Sequence, residues 1–158
     1  MNINIKPSEK TKRMLFYAPF IVQKKLPKTL LLGNRDIGEF FTKKIKTSIK
    51  NNGGTGRLYN KYIRGRKISK RASGYGESPI SWTGKLKSSN KYSINPKQVI
   101  LYNNAPYSYF LENKKGGAPA GKRPFMLPVI KKYKQQVSRF YDKQMSKLIN
   151  SINNARYW

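Results

Sequence analysis

The C-terminal part of the chain carries the pattern that most constrains its fold. Between positions 129 and 152, apolar residues recur at steps of three and four: Val129, Ile130, Tyr133, Val137, Phe140, Tyr141, Met145, Leu148, Ile149 and Ile152. This is the period of an α-helix with one apolar face, and Pro124 and Pro128 precede it, as helix starts permit. The pattern predicts a long amphipathic helix over residues 128–152, packed on a sheet.

The opposite face of this predicted helix is basic, with Lys131, Lys132, Lys134, Arg139, Lys143 and Lys147. Such a face is typical of a solvated helix surface, and contact with nucleic acid is the alternative.

A second apolar stripe predicts an N-terminal helix from about Leu30 or Asp36 to Lys50. Its members are Ile37, Phe40, Phe41, Ile45 and Ile49. Asn34 or Asp36 can cap its start, and Glu39 follows Asp36 at capping-box spacing. The Asn-Asn-Gly-Gly run at 51–54 is suited to a helix end.

Between the helices, the sequence predicts a small antiparallel hairpin. Residues 91–94 and 99–102 form its strands, and Pro96 suits the tight turn over 95–98. Residues 107–112 add a third strand or a short helix, and 114–122 form a loop. The predicted class is α+β: a small antiparallel sheet packed by an N-terminal helix and a long C-terminal helix.

Residues 53–89 contain seven glycines and a basic run without an acid, which predicts a long basic loop. Compact domains rarely hold connections longer than about 12 to 15 residues unless these bind something or move. For the whole chain, we expect an extended basic arm over 1–28, one α+β domain over 29–153 and a tail over 154–158.

The charge restricts the class of partner. Thirty-four Lys and Arg against six acids leave a net charge of +28, which attracts DNA, RNA or an acidic protein face. The chain has no Cys and no His, and its acids show no paired spacing, so we expect no enzyme activity, no metal site and no cofactor. No apolar run approaches the roughly 18 residues of a membrane helix, so we expect no membrane contact.

Several short motifs follow one another in a fixed order. Gly56-Arg57-Leu58-Tyr59 precedes the stretch from Arg71 to Pro79, which reads Arg-Ala-Ser-Gly-Tyr-Gly-Glu-Ser-Pro, and then Thr83-Gly84-Lys85-Leu86. After the predicted sheet come Asn103, Tyr107, Glu112 and Arg123-Pro124-Phe125. In this order, over about residues 30–135, they resemble the tail-completion or head-to-tail joining proteins of tailed bacteriophages, the minor tail protein Z-like neck proteins. The chain departs from that pattern at Tyr75, where many members carry proline.

The resemblance implies a structural virion protein, made in the host cytoplasm, whose copies form a ring at the head-tail junction around the DNA channel. Its implied partners are further copies of itself, the neighbouring neck, connector and tail proteins, and packaged double-stranded DNA. The residues expected at a subunit interface or facing DNA are Arg57, Tyr59, Arg64, Arg66, Lys67, Lys70, Arg71, Glu77, Thr83 and Lys85. Those expected to shape the fold are Asn103, Tyr107, Glu112, Arg123, Pro124 and Phe125.

Two acids in these motifs are expected to have basic partners. Glu77 and Glu112 stand in a strongly basic chain, and Glu112 is predicted to pair with Arg123, within the subunit or across to a neighbour. Phe125 is expected to fill the core at the start of the C-terminal helix, where Pro124 sets the chain direction. A subunit contact is the alternative role for this motif.

The competing function is that of a nucleic-acid-binding protein without sequence preference. In that case the run from Arg57 to Arg71 is the contact surface, and the interleaved Tyr59 and Tyr62 stack on bases.

Overall fold

A computed structural model describes residues 2–3, 19–49, 54–81, 83–113 and 123–155. Its elements, in chain order, are β1 (Asn2–Ile3), α1 (Pro19–Ser48), β2 (Leu58–Ile63), β3 (Arg66–Arg71), α2 (Lys85–Ser88), β4 (Asn90–Asn95), β5 (Gln98–Asn103), α3 (Ser108–Asn113), α4 (Leu127–Tyr133), a 3-10 turn (Lys134–Gln136) and α5 (Val137–Ala155). The strands form a three-stranded sheet in the order β1-β5-β4 and a two-stranded sheet of β2 and β3. The predicted α+β class is confirmed.

The hairpin of β4 and β5 lies where the sequence predicts it, with each strand slightly longer. Asn95 shapes the turn, because its side-chain oxygen accepts hydrogen bonds from the backbone N–H groups of Lys97 and Gln98, at 2.9 and 3.0 Å. Residues 108–113 form the short helix α3, the second of the two alternatives predicted for this segment.

Helix α1 begins well before its predicted start. The prediction of an extended arm over 1–28 is wrong for residues 19–28, which are helical; residue 1 and residues 4–18 lie outside the described part. Pro19 stands at the first helical position, where its missing N–H costs nothing. Pro27 lies inside the helix, but Leu26 and Leu30 on either side of it pack against an apolar cluster of α5, and this burial offsets the lost hydrogen bond.

Contacts divide the chain into two compact units, and the predicted domain over 29–153 contains parts of both. The first comprises Met1–Phe41, Tyr92–Leu101 and Tyr133–Trp158, and the second comprises Thr42–Lys91 and Tyr102–Lys132.

The first unit buries part of each predicted apolar stripe. Its buried apolar side chains include Ile37, Phe41, Val99, Leu101, Val137, Tyr141, Met145, Leu148 and Ile152. Asn34 lies among them at 0% exposure; it donates to the carbonyl of Asn95 at 2.6 Å and accepts from the hydroxyl of Tyr141. Burial raises the pKa of Tyr141 above its ordinary value.

The predicted capping box at Asp36 and Glu39 is wrong, because both residues lie inside α1. Asp36 instead accepts a hydrogen bond from the side chain of Gln144 at 2.7 Å. Glu39 forms an ion pair with Arg35, whose Nε lies 3.5 Å from Oε1 of Glu39.

The second unit has its own buried apolar side chains, among them Ile45, Ile49, Leu86, Ala105, Phe125, Val129 and Ile130. Phe125 is 1% exposed, so its predicted burial is confirmed. The hydroxyl of Ser48, at the end of α1, donates to the carbonyl of Phe125 at 3.2 Å. The amphipathic helix predicted over 128–152 is present as α4 and α5, and the 3-10 turn at 134–136 interrupts it.

Candidate binding surface

The segment predicted as a long loop over 53–89 contains regular structure. β2 and β3 form an antiparallel hairpin in which Leu58 lies opposite Arg71 and Tyr62 opposite Lys67. Arg64 and Gly65 form the two-residue turn, and both have positive φ, at 50° and 74°. A turn of this kind matches the twist of paired strands, and Gly adopts it without strain. The loop prediction is therefore corrected here to a β-hairpin.

Most of the residues predicted at the interface or facing DNA lie in or beside this hairpin, which we call the basic hairpin (residues 57–71). It carries seven Lys and Arg and no acid. Arg57 directly precedes β2, Tyr59 lies in β2, Arg64 lies in the turn, and Arg66, Lys67, Lys70 and Arg71 lie in β3. The arginines and Lys67 are exposed, and Lys70 is partly buried.

Both faces of the basic hairpin are exposed. Side chains alternate between the faces of a strand, so Tyr59 and Lys70, which are opposite each other, share one face, and Tyr62 and Lys67 share the other. Tyr59 is 47% exposed and Tyr62 is 69% exposed. The two tyrosines of the predicted stacking surface therefore point in opposite directions, and no flat partner contacts both.

Each face combines basic with apolar or polar groups. The guanidinium carbon of Arg57 lies 5.8 Å from the ring centroid of Tyr59, close enough for a cation-π interaction. On the other face, Ser69 donates to the side-chain oxygen of Asn60 across the strands at 2.6 Å.

Glu77 lies at the base of the hairpin and binds the backbone. Its carboxylate accepts from the N–H groups of Gly74 and Thr55, at 2.8 and 3.2 Å, and from the Thr55 hydroxyl at 2.9 Å. These bonds join the segment before β2 to the one after β3, which are also paired through Gly56 and Ala72. Glu77 therefore holds together the two segments from which the hairpin extends.

Thr83 and Lys85 lie at the start of α2, and both are exposed. The hydroxyl of Thr83 accepts from the backbone N–H of Lys85 at 3.3 Å, and Gly84 between them has a φ of 76°.

Asn103, one of the motif residues expected to shape the fold, makes partly buried polar contacts in the second unit. The Asn103 amide nitrogen donates to the Leu86 carbonyl at 2.8 Å and to the Asn90 side chain at 2.9 Å, and its oxygen accepts from the backbone of Ala105 at 2.8 Å. Asn90 itself donates to the carbonyls of Leu86 and Lys87. The two asparagines together satisfy two of the C-terminal carbonyls of α2, those of Leu86 and Lys87.

Glu112 binds backbone amides instead of the predicted arginine. Its carboxylate accepts hydrogen bonds from the N–H groups of Phe125, Met126 and Leu127, at 2.9, 3.1 and 2.7 Å. These are the amides at the start of α4, which have no partner within the helix. Among the described residues no ion pair joins Glu112 to Arg123, so the pair predicted within the subunit is not formed, and the alternative across to a neighbour stays a prediction.

Arg123 and Tyr107 meet at a cleft in the second unit. Its volume is about 180 Å³, and it is lined by Ala72, Ser73, Pro79, Ile80, Leu86, Tyr107, Leu111 and Arg123. Ser73 is a lining residue that was not predicted as part of a site, although it stands in the motif from Arg71 to Pro79. Pro124 is partly buried beside Arg123.

The basic face of the C-terminal helices is exposed at each of its six predicted positions, Lys131, Lys132, Lys134, Arg139, Lys143 and Lys147. Within the described residues, no cluster of three or more His, Cys, Asp or Glu side chains could hold a metal ion. In that same part of the chain, none of the helices combines the length and apolarity needed to cross a membrane.

Comparisons of this chain with protein-family models, with curated proteins and with solved structures gave no match.

Proposed function

We propose that this protein is a structural virion protein of a tailed bacteriophage, and that its copies form a ring at the head-tail junction. The ordered motifs from Gly56 to Phe125 suggest this role, and the observation that carries it structurally is the two-faced exposure of the basic hairpin. In the proposed ring, the hairpin inserts between neighbouring subunits or into the DNA channel.

The exposed apolar area of the hairpin favours a partner that covers it. Leu58, Tyr59, Tyr62 and Ile68 are all exposed, although a two-stranded hairpin alone is only marginally stable in water. A partner that contacts both faces buries this area and also neutralises the bases. Because free copies carry +28 each, their repulsion opposes assembly until an anionic partner is present.

Substitutions that remove charge from the hairpin test this proposal in phage particles. One variant replaces Arg66 and Lys70 by Gln, on the face of Tyr59, and a matched control replaces Lys143 and Lys147, which are exposed on α5. Each removes two positive charges. Phage lacking the gene are complemented with each variant, and heads joined to tails are counted by electron microscopy.

We expect the hairpin variant to give fewer joined particles than the wild type, and the control to match the wild type. Equal loss in both variants would show that only net charge matters and would contradict a specific role for the hairpin. Full joining with the hairpin variant would also count against the proposal.

The second candidate function is nucleic-acid binding without sequence preference, and the seven Lys and Arg residues of the basic hairpin favour it. A hairpin of six-residue strands is about 20 Å long, and the major groove of DNA accommodates a two-stranded ribbon. The opposite directions of Tyr59 and Tyr62 favour such insertion over stacking on one single strand.

Salt dependence tests this second function. If Arg66 and Lys70 contact phosphates of duplex DNA, replacing both by Gln makes the negative slope of log affinity on log salt less steep, by about 1.8. The variant at Lys143 and Lys147 leaves the slope unchanged. A slope equal in all three proteins would exclude the hairpin as the DNA contact.

A further inference from the structure

The turn of the basic hairpin holds an arginine in an unfavourable backbone conformation. Ile63 and Arg66 pair across a two-residue turn, so Arg64 occupies its first position, with a φ of 50°. Turns of this kind favour Asn or Asp at that position and Gly at the next, because these residues adopt positive φ most readily. Gly65 follows this rule, and Arg64 does not.

No contact within the described structure compensates Arg64 for this conformation. Its side chain is exposed and makes no hydrogen bond or ion pair with the described residues. An Asn or Asp side chain in its place could form a hydrogen bond with the local backbone. Residues held in sparsely populated conformations cluster at functional sites, so this one indicates that the guanidinium of Arg64 binds a partner.

The bases next to the turn lie on both faces of the hairpin. Arg66 and Lys67 directly follow the turn in β3, and the side chains of consecutive strand residues point to opposite faces. Arg66 therefore shares one face with Lys70, and Lys67 shares the other with Arg71. Among the described residues, none of these four bases is paired with an acid. The end of the hairpin thus presents positive charge at its tip and on both faces.

The dimensions of this end fit a groove of duplex DNA. Sheets pack face to face at about 10 Å, so a single ribbon with its side chains is about 10 Å thick. The major groove is about 12 Å wide and about 8.5 Å deep, and a phosphate backbone borders it on each side. A tip between these backbones brings Arg66 to one strand and Lys67 to the other. Arg64 then reaches the base edges on the groove floor.

We propose that the tip of the basic hairpin enters the major groove of duplex DNA, and that Arg64 donates hydrogen bonds to O6 and N7 of guanine. An arginine side chain presents two parallel N–H groups that match these two acceptors. Phosphate contacts carry no sequence information, so Arg64 adds a preference for guanine to contacts that have none.

This inference rests on the basic hairpin as the contact surface of the proposed function, and it names duplex DNA as the partner of that surface. Charge favours DNA over a neighbouring copy of the chain, because each copy carries +28 and repels the next.

The test uses the full chain and two short DNA duplexes of the same mixed sequence. In the second duplex, 7-deazaguanine replaces every guanine, so that a C–H group stands in place of the N7 acceptor. Affinities are measured by fluorescence anisotropy. We expect the wild type to bind the ordinary duplex at least about fivefold more tightly, the lower limit for a good pair of arginine and guanine. Arg64→Asn should bind both duplexes equally and more weakly than the wild type binds the ordinary one.

Two further measurements separate a base contact from a phosphate contact and from a structural role. Arg64→Asn should leave the slope of log affinity on log salt unchanged, whereas Lys67→Gln should make this negative slope less steep by about 0.9. The Tm of Arg64→Asn should equal or exceed that of the wild type, because Asn tolerates positive φ in this turn.

Two control variants complete the series. Lys143→Asn removes one exposed base of α5 and should keep the preference for the ordinary duplex. Arg64→Lys keeps the charge of the tip but lacks the parallel N–H groups, so it should lose most of this preference.

Equal binding of the two duplexes by the wild type would overturn the proposal, as would a preference that persists in Arg64→Asn. A lower Tm for Arg64→Asn with unchanged discrimination would show that Arg64 has a structural role only. If the protein binds polyglutamate but no duplex DNA, the hairpin contacts an acidic protein and the proposal is wrong. None of these results decides whether the protein lies at the head-tail junction, which labelling of particles tests separately.

Discussion

Replacing Glu112 should destabilise the second unit more than its position on a six-residue helix suggests. The carboxylate accepts three backbone N–H groups at the start of α4, with two bonds to one oxygen and one to the other. Hydrogen bonds to charged groups contribute about 1.5 to 3 kcal/mol each, and buried donors left without a partner add to the loss.

The magnitude depends on the replacement. In Glu112→Gln the amide oxygen keeps the two bonds of one oxygen and loses the bond from Leu127, which costs about 1.5 to 3 kcal/mol. Glu112→Ala loses all three bonds, and we expect about 3 to 5 kcal/mol after partial hydration of the freed amides. For a chain of this size, each kcal/mol lowers Tm by about 2 to 4 °C.

Thermal melts by circular dichroism and amide hydrogen exchange measure this effect. The order of Tm should be wild type, Glu112→Gln and then Glu112→Ala, and the amides of 125–127 should exchange faster in both variants. Asp142→Asn, at an exposed acid on α5, is the matched control and should change neither quantity. If Glu112→Ala left Tm and the exchange at 125–127 unchanged, the capping role assigned to this carboxylate would be refuted.

Three further predictions concern buried or partly buried groups. Phe125→Ala should cost about 3 to 5 kcal/mol in urea unfolding, because the ring is 1% exposed, and a loss below about 1 kcal/mol would contradict its burial. Asn103→Ala removes three hydrogen bonds to Leu86, Asn90 and Ala105, and should cost about 2 to 4 kcal/mol in the same assay, with Asn60→Ala on the exposed hairpin as a near-neutral control. Burial raises the pKa of Tyr141, so the contribution of its protonated hydroxyl to stability is complete below the ordinary pKa of about 10 and is lost as pH rises through the pKa of the folded protein. Tyr141→Phe should abolish this part of the loss of stability at alkaline pH. Parallel curves of stability against pH for the two proteins would exclude this contribution.

The period of the apolar residues correctly predicted the two amphipathic helical regions. Most of the stripe from Ile37 to Ile49 and most of that from Val129 to Ile152 are buried, because a helix with one apolar face has to cover that face. The hairpin of β4 and β5 was predictable as well, since its turn residues are specific to a tight turn.

Predictions from local sequence were wrong where contacts between residues distant in the sequence decide the structure. Residues 1–28 were expected to form an arm, but α1 begins at Pro19 and continues through Pro27, where Leu26 and Leu30 pack against α5. The basic hairpin was missed because its sequence shows no apolar alternation. Its described side chains are exposed on both faces, apart from the partly buried Lys70. Only the turn dipeptide Arg64-Gly65 marked it.

The sequence predicted which residues of the candidate site are important, but not which groups they contact. The motifs identified Glu77, Glu112 and Arg123, and charge alone suggested ion pairs. In the structure both acids bind backbone amides brought near by folding, and the arginine faces a cleft with Ser73. Backbone donors leave no trace in the sequence, so their carboxylate partners cannot be assigned from it.

Antibody-gold labelling of intact tailed particles tests the proposed function most directly. The position of the label is scored against the capsid-tail junction, and mass spectrometry of the same particles checks whether the protein is present. The neck assignment predicts label at the junction. Particles without label, from which the protein is also missing by mass spectrometry, would contradict that assignment and leave nucleic-acid binding as the function to pursue.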